Sequence, residues 1–481
     1  MVLTGDVTMV FYQIVRKEIL ENILSLRFTL SLVLTVSLFA ASSFIFVDNH
    51  RDRLQEYRQK TNQNLSAFRE QSAQLYKLAF HDHHVYAQPK LLALCAGGFE
   101  ELLPGHFSFD AFAVNLPQLA GQSNFTLPRF TDVDWTFIIS LIFSFIAFVF
   151  VYDAICGERE RGTLRLILAG ATPRATILLG KYLGLMLTLG IPLLMGLLVS
   201  LIIVITSNVD LVSPAIWAKL IGIVALSFLY LSIFVFLGLF VSTRTAKSSI
   251  SMATLLLIWV VLIILIPSLG RVFSDRLRHS PGVEKFERNK SEAIQQVEDD
   301  MSAGKFGERA DARSPNPKEC NPPARARYAN AGADAMNRVI EEHHSKMIAQ
   351  AVVGRNLTCI SPAVIYQRAS EAVAGTGINH CVNLYQQIKQ YQTQLKEYIR
   401  DRDQEDPDSL HLLFDEENSV AEWNAISKRS VNFDSVPKFQ ERDLALGQSL
   451  KLAIWDIGLL ALFNLVFFAA AFVSFLRYDV R

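Results

Sequence analysis

The sequence predicts a mainly α-helical membrane protein: a six-helix polytopic domain carrying a mainly helical extracytoplasmic domain built from two insertions. Three observations lead there. Hydrophobic residues make up 51% of the 481-residue chain and mean hydropathy is +0.26, but the apolar residues are gathered into a few unbroken runs. Two long polar stretches interrupt the series, after the first run and after the fifth. When the runs are threaded in order, the lysines and arginines of every short loop fall on one side, as the positive-inside rule requires.

A span needs about 20 mainly apolar residues, because a rise of about 1.5 Å per residue must cross about 30 Å of hydrocarbon. Runs at 28–47, 135–151, 176–206, 216–241, 250–269 and 452–476 qualify. The first is longer than the roughly 7–15-residue core of a signal peptide and reads as an uncleaved anchor, although Ala40-Ala41-Ser42 faintly resembles a cleavage site. The third contains Gly184, Gly190, Pro192 and Gly196 and is expected to tilt or kink near Pro192. The cytoplasmic side then holds the N-terminus 1–27 (Arg16, Lys17), the link 152–175 (Arg159, Arg161, Arg165, Arg174), the turn STRTAKS (Arg244, Lys247) and the tail 477–481. Segments 48–134 and 270–451 lie outside. The formal net charge is zero, so no basic field suited to nucleic acid surrounds the chain, and no nucleic-acid partner is expected.

In the first outer segment Leu54, Thr61, Phe68 and Leu75 recur every seven residues, which predicts a helix continuing out of the first span. Leu384, Ile388, Tyr391, Leu395 and Tyr398 step by four and three and offer a partner stripe. The two stripes either pair as a coiled coil or sit as separate amphipathic helices on a common core. A further helix is expected over 334–353, a loop rich in Pro, Gly and charge over 302–327, and no internal repeat is found. Cys156 falls inside and is expected as a thiol; Cys95, Cys320, Cys359 and Cys381 fall outside, where up to two disulfides are possible in three pairings. Cys359 with Cys381 is the attractive pair, because it would close a short loop around SPAVIYQRASEAVAGTG.

Catalytic signatures are missing. GxxxxGK[ST] does not occur; its nearest fragment, LLGKY, puts Tyr182 after Lys181 and reads as chance. HDHHVY brings His81, His83 and His84 together without the converging ligands a zinc site needs, and reads as a solvated polar corner, as does the pair His343-His344. Inside the spans ionisable residues are scarce: Asp153 and Lys219 fall near ends, Asp456 lies about a turn in, and Asn464 is the deepest polar residue of the last span. Asp456 is expected to cap its helix or pair with an outer arginine. No nucleophile elbow, HExxH or kinase motif appears, so the chain is not expected to be an enzyme and needs no cofactor or metal of its own.

The link carries the unusual stretch GERERGTLRLILAGATPRATILLGKYLG. As one short helix over 158–168 it would set Leu164, Ile167, Leu168 and Ala171 on one side and Glu158, Arg161 and Arg165 on the other. Such a helix lies along the inner membrane surface. Gly170 can stop it, Thr172 can cap the next helix, and Pro173 suits that helix's first position. The result is a lever tied to two spans.

This stretch resembles the coupling-helix region of ABC-2 type exporter permeases, with its acidic–basic pairs, GTL, a Pro-Arg step and LLGK opening the third span. VRKEILENILSLRFTL is similar to that family's amphipathic N-terminal elbow. VYAQPKLLALCAGGFE, SPAVIYQRASEAVAGTG and the two large outer segments resemble the subgroup with a big extracytoplasmic insertion, which includes permeases near those of gliding motility and nitrous oxide reductase maturation. The resemblance implies a transmembrane permease subunit working with a second copy or a related permease, and with two copies of a separate ABC ATPase subunit that bind ATP and Mg. It implies that Glu158, Arg159, Glu160, Arg161, Thr163 and Leu164 contact or brace that ATPase. It also implies export of an amphipathic, peptide or lipid-like cargo across a bacterial inner membrane, with lipid around the spans and the large domain in the periplasm, open to an extracytoplasmic partner. The competing expectation is a membrane-anchored sensor or scaffold whose outer domain binds a ligand without transport.

Overall fold

The computed structural model describes residues 2–71, 73–98, 106–115, 133–169, 173–207, 213–269, 283–307 and 321–477. An opening helix α1 (Val2–Ile23) turns at Leu24-Ser25 into α2, which runs from Leu26 to Gln71 without a break. At about 1.5 Å per residue those 46 residues reach roughly 70 Å, twice what a bilayer core needs, so the first span projects far beyond it. The next spanning helix, α4 (135–151), contains a π-helical turn at Ile138–Phe143. The link follows as α5 (Cys156–Glu160) and α6 (Thr163–Ala169), then α7 (Arg174–Thr206), α8 (Pro214–Arg244) and α9 (Ser248–Leu269), the last with a π-helical turn at Val260–Leu265. The sixth span is α15 (Leu446–Leu476). Among the described residues six helices are therefore long and apolar enough to cross a membrane, and Pro192 lies inside α7, which is one helix.

Lipid offers no hydrophobic reward for helix pairing, so these spans pack through small residues and hydrogen bonds. A Cβ on Gly196 of α7 would stand 2.5 Å from the Phe39 ring of α2, and one on Gly238 of α8 would overlap Val151 of α4. Trp135 Nε1 donates to Ser200 Oγ at 2.8 Å, Trp259 Nε1 to Ser144 Oγ at 2.9 Å, and Tyr230 Oη to the Ser140 carbonyl at 2.8 Å. Asn464 of α15 donates to the Leu229 carbonyl of α8 at 2.9 Å.

The two insertions build the second part. It holds α3 (Leu75–Phe80) and a three-stranded antiparallel sheet, β1 (His83–Tyr86), β2 (His106–Phe109) and β3 (Val114–Asn115), in the order β1-β2-β3 with Val85 opposite Phe107. The helices α10 (Val283–Ser302), α11 (Pro322–Leu357), α12 (Pro362–Ala374), α13 (Gly377–Gln404) and α14 (Glu417–Trp423) complete it. Phe68 of α2, Leu75, Phe107, Phe109, Leu384, Ile388 and Leu395 share one core. The two sequence stripes thus meet in a common core rather than a coiled coil: α2 ends at Gln71, before the last heptad position, and Leu75 starts a new helix. The loop expected over 302–327 is shorter than that reading, because Pro322 and Pro323 occupy the first turn of α11, where their missing N–H groups go unused. Residues 308–320, with Cys320, lie outside the described residues.

Two expectations for this domain are overturned. Cys359 and Cys381 are free thiols, not a disulfide. The 13-residue helix α12 lies between them and is about 20 Å long, whereas a disulfide needs Cα atoms within about 7 Å. Nor is HDHHVY a solvated corner: His81 and His83 are buried, His81 stacked on Phe68 and His83 set edge-on to it. Burial, helped by its neighbour His81, pushes the His83 imidazole down to about 3. Below about pH 6.5 the unfolded chain takes up a proton there that the folded chain refuses, so stability falls as pH falls, by up to about 1.4 kcal/mol per unit. Between pH 7 and pH 5 the inserted domain should lose about 2 kcal/mol. Hydrogen exchange of strands 83–86 and 106–109 in the full chain, corrected for intrinsic rate, reads this, and His83→Gln should flatten the dependence.

Candidate functional site

The link at the opposite end of the bundle is two helices, not the single one expected over 158–168. Gly162 sits at φ +75°, a left-handed conformation that glycine adopts without strain, and it separates α5 from α6. Thr163 Oγ1 donates across the break to the Glu158 carbonyl at 3.2 Å. Pro173 precedes α7 instead of opening it, since α7 begins at Arg174. Gly170, Ala171 and Thr172 lie outside the described residues.

Glu158 does not join a charged surface. It is 5% exposed, and its Oε1 lies 2.8 Å from Lys181 Nζ and 3.0 Å from Lys17 Nζ. Lys181 in turn donates to Glu18 Oε1 at 2.6 Å. Glu18, Glu158 and Lys181, from α1, α5 and α7, thus form one buried cluster, and the exposed Lys17, which also lies 3.7 Å from Glu21, borders it. A lysine only 2% exposed would cost several kcal/mol to desolvate unless it were paired in this way. Lys181, whose likeness to an ATP-binding loop is chance, is the hub of this cluster.

The approach of α1 to α7 depends on Gly180 and Gly184, four apart and so on one helix face. A Cβ on Gly180 would lie 2.8 Å from Ile14 Cγ2, and one on Gly184 2.7 Å from Glu18 Cβ. Ile14 faces Gly180 and Glu18 faces Gly184, so the two helices run in the same direction. The signal that could have found this contact is GxxxG inside an apolar run.

Further ties fasten the link to the other spans. Glu160 accepts from the Ser248 backbone N–H at 3.0 Å and from Ser248 Oγ at 2.6 Å, which caps the start of α9. Asp153 pairs with Arg27 of α2 at 3.1 Å, and the Ser242 hydroxyl of α8 accepts from the Ile155 and Cys156 N–H groups at 3.1 Å. Arg174 donates to the Leu476 carbonyl at 2.6 Å, at the end of α15. Leu164 is 2% exposed and anchors α6. Of the six residues singled out from the sequence, Glu158 and Leu164 therefore point inward, while Arg159, Glu160, Arg161 and Thr163 lie on the surface beside Arg165 and the 76%-exposed Leu166. An exposed basic and apolar patch is thus joined to α1, α2, α7, α8 and α9 by ion pairs, hydrogen bonds and a cap.

At the far end Asp456 pairs with Arg368 of the inserted domain at 3.3 Å, as expected from the sequence. Among the described residues no group of three or more His, Cys, Asp or Glu is placed to hold a metal ion.

Comparison with known proteins adds two findings. A sequence model of the family described as ABC-2 family transporter protein matches residues 12–480. The chain is also similar to two proteins described as probable ABC transporter permease protein NosY. The one from Pseudomonas aeruginosa is 42% identical over 77 residues, 16% of this chain and 28% of the relative. The one from Stutzerimonas stutzeri is 37% identical over 92 residues, 18% of this chain and 33% of the relative. The matched stretch thus spans a third or less of either relative's length.

Proposed function

The chain belongs to the ABC-2 family of transporter proteins, and from that premise we propose that it is the permease subunit of an ATP-driven exporter. A separate ATPase subunit, in two copies with ATP and Mg, docks on Arg159, Arg161, Arg165 and Leu166 in the cytoplasm, and its closure moves the link. A second permease copy or a related chain completes the pathway. The cargo is amphipathic, peptide or lipid-like and leaves across a bacterial inner membrane, with the inserted domain in the periplasm. This chain hydrolyses nothing itself.

The buried Glu18–Glu158–Lys181 cluster, bordered by Lys17, carries the reading, because a passive anchor has no need to weld a surface patch to two helices. The test is retention of the co-expressed ATPase subunit on the purified permease. Arg161→Glu with Leu166→Asp should cut retention at least tenfold without shifting thermal unfolding of the permease, since both side chains are exposed. Full retention by that double variant would remove the link from the docking surface. Glu158→Lys is unsuitable for this purpose, because it would break the buried cluster as well.

A further inference from the structure

Lys219 is a cation buried at the end of α8 that meets the inserted domain. It follows Pro214, the first residue of α8, by five positions and is 7% exposed. Trp217 of α8 and Trp455 of α15 are exposed near the same end, as tryptophans at the headgroup level of a membrane are. A lysine near the end of a span ordinarily extends its ammonium into water. Here the inserted domain covers it. By sequence α12 belongs to that domain, yet it lies among the spans, with Ile365, Tyr366 and Val373 buried in the membrane-domain core. Its last turn meets α8: a Cβ on Gly375 would stand 3.4 Å from Lys219 Nζ, and one on Gly222 3.4 Å from Val373 Cγ1. Among the described residues Lys219 Nζ has no hydrogen-bond or ion-pair partner.

The carboxylates nearby are committed elsewhere. Glu441 and Asp443 both bond Lys90, Asp443 at 2.6 Å, and Glu441 also accepts from the Gln88 N–H at 3.1 Å. Asp443 is the carboxylate whose field reaches Lys219, and its side chain is 71% exposed, so water and salt screen it. Lys90 acts on Lys219 in the opposite sense. The C-terminus of α12 offers the negative end of a helix dipole, about half a charge. Part of the ammonium's charge is left unanswered. Burial and the Lys90 ammonium hold the neighbouring His380 imidazole below its usual range, so at neutral pH it adds an N–H donor but no charge. We propose that Lys219 holds the phosphate of an anionic phospholipid headgroup, beside the turn at Gly375, in the leaflet on the inserted domain's side. A buried charge that a span keeps without a partner is the mark of a site. Trp217 and the 68%-exposed Ile221, two positions to either side, present the apolar surface along which acyl chains lie. Inorganic phosphate offers the same chemistry without those chains. The inference stands apart from the exporter reading, since a headgroup is held whether or not cargo moves.

The experiment follows thermal unfolding of the full chain in a neutral detergent as phosphatidylglycerol, phosphatidylcholine with the same acyl chains, or inorganic phosphate is added. Phosphatidylglycerol should stabilise the parent and phosphatidylcholine should not, because choline offsets its phosphate. Lys219→Met should weaken the apparent affinity for phosphatidylglycerol by about tenfold or more, the loss expected of one hydrogen bond to a charged group. Lys219→Gln, polar but uncharged, should lose as much, so the result does not hang on how methionine packs, and Lys219→Arg should retain most of the binding. Lys451→Met removes an exposed lysine near the start of α15 and should leave the affinity unchanged, which separates a site from attraction to a basic surface. Stabilisation by inorganic phosphate that equals that by phosphatidylglycerol, and is lost in Lys219→Met, upholds the anion site and overturns its assignment to lipid. A parent that does not prefer phosphatidylglycerol, or a Lys219→Met variant that binds it as the parent does, overturns the proposal.

Discussion

Lys181→Met should cost the protein about 3–5 kcal/mol, more than any other single substitution of a charged residue in the link, because it leaves carboxylates buried without their counter-charge. Glu18 loses its partner at 2.6 Å outright, and Glu158 keeps only Lys17 at 3.0 Å. Methionine fills nearly the same space, so the loss measures charge and not packing. Thermal unfolding of the full-length chain in detergent reads the effect. Adding Glu18→Gln to Lys181→Met should recover most of it, since one cation then faces one anion. If Lys181→Met unfolds like the parent, the cluster does not hold the link. The same variant should also uncouple ATP turnover from the permease, since the surface patch would no longer be fixed to α1 and α7.

Much of this fold was legible in the sequence because a membrane imposes a length and a composition on every span, and for an unbroken apolar run of about 20 residues only a helix satisfies the backbone there. The long α2 was legible too, from the apolar stripe that continues past residue 47. The pairing of Asp456 with an outer arginine followed from the cost of a lone charge near hydrocarbon. Other features depend on partners far along the chain. Lys181 reads as an inner-side basic residue at the start of its span, and its burial is invisible until Glu18, 163 positions away, is seen beside it. His81 and His83 look solvated until the Phe68 ring of α2 covers them. The break at Gly162 is local and could have been read, since glycine just after a short helical segment is a common stop. The place of α12 could not be read from length, as 13 residues neither span a membrane nor signal burial within one. Spacing alone likewise suggested the Cys359–Cys381 bridge, and only the helix between them excludes it.

Gly184→Val should detach α1 from the bundle. The new Cβ would stand 2.7 Å from Glu18 Cβ and 3.4 Å from the Val15 carbonyl oxygen, and neither atom is the free end of a flexible side chain, so α1 itself must move. Overpacking of this kind costs about 1–3 kcal/mol. Gly458→Val on α15 is the matched control: nothing lies within 4 Å of its Cβ position, and valine is the better helix former, so that variant should be neutral or slightly stabilising. Hydrogen exchange over residues 9–23 reads the position of α1 directly, and unchanged protection in Gly184→Val would mean that the close approach does not seat this helix. The two effects argued here also bear on each other. If displacement of α1 already separates Glu18 from Lys181, adding Lys181→Met to Gly184→Val should cost much less than in the parent chain. Glycine contact and ion cluster would then be one device, with the glycines setting the distance at which the charges meet. Full additivity would mean that α1 shifts without opening the cluster, and that the charges alone hold the link.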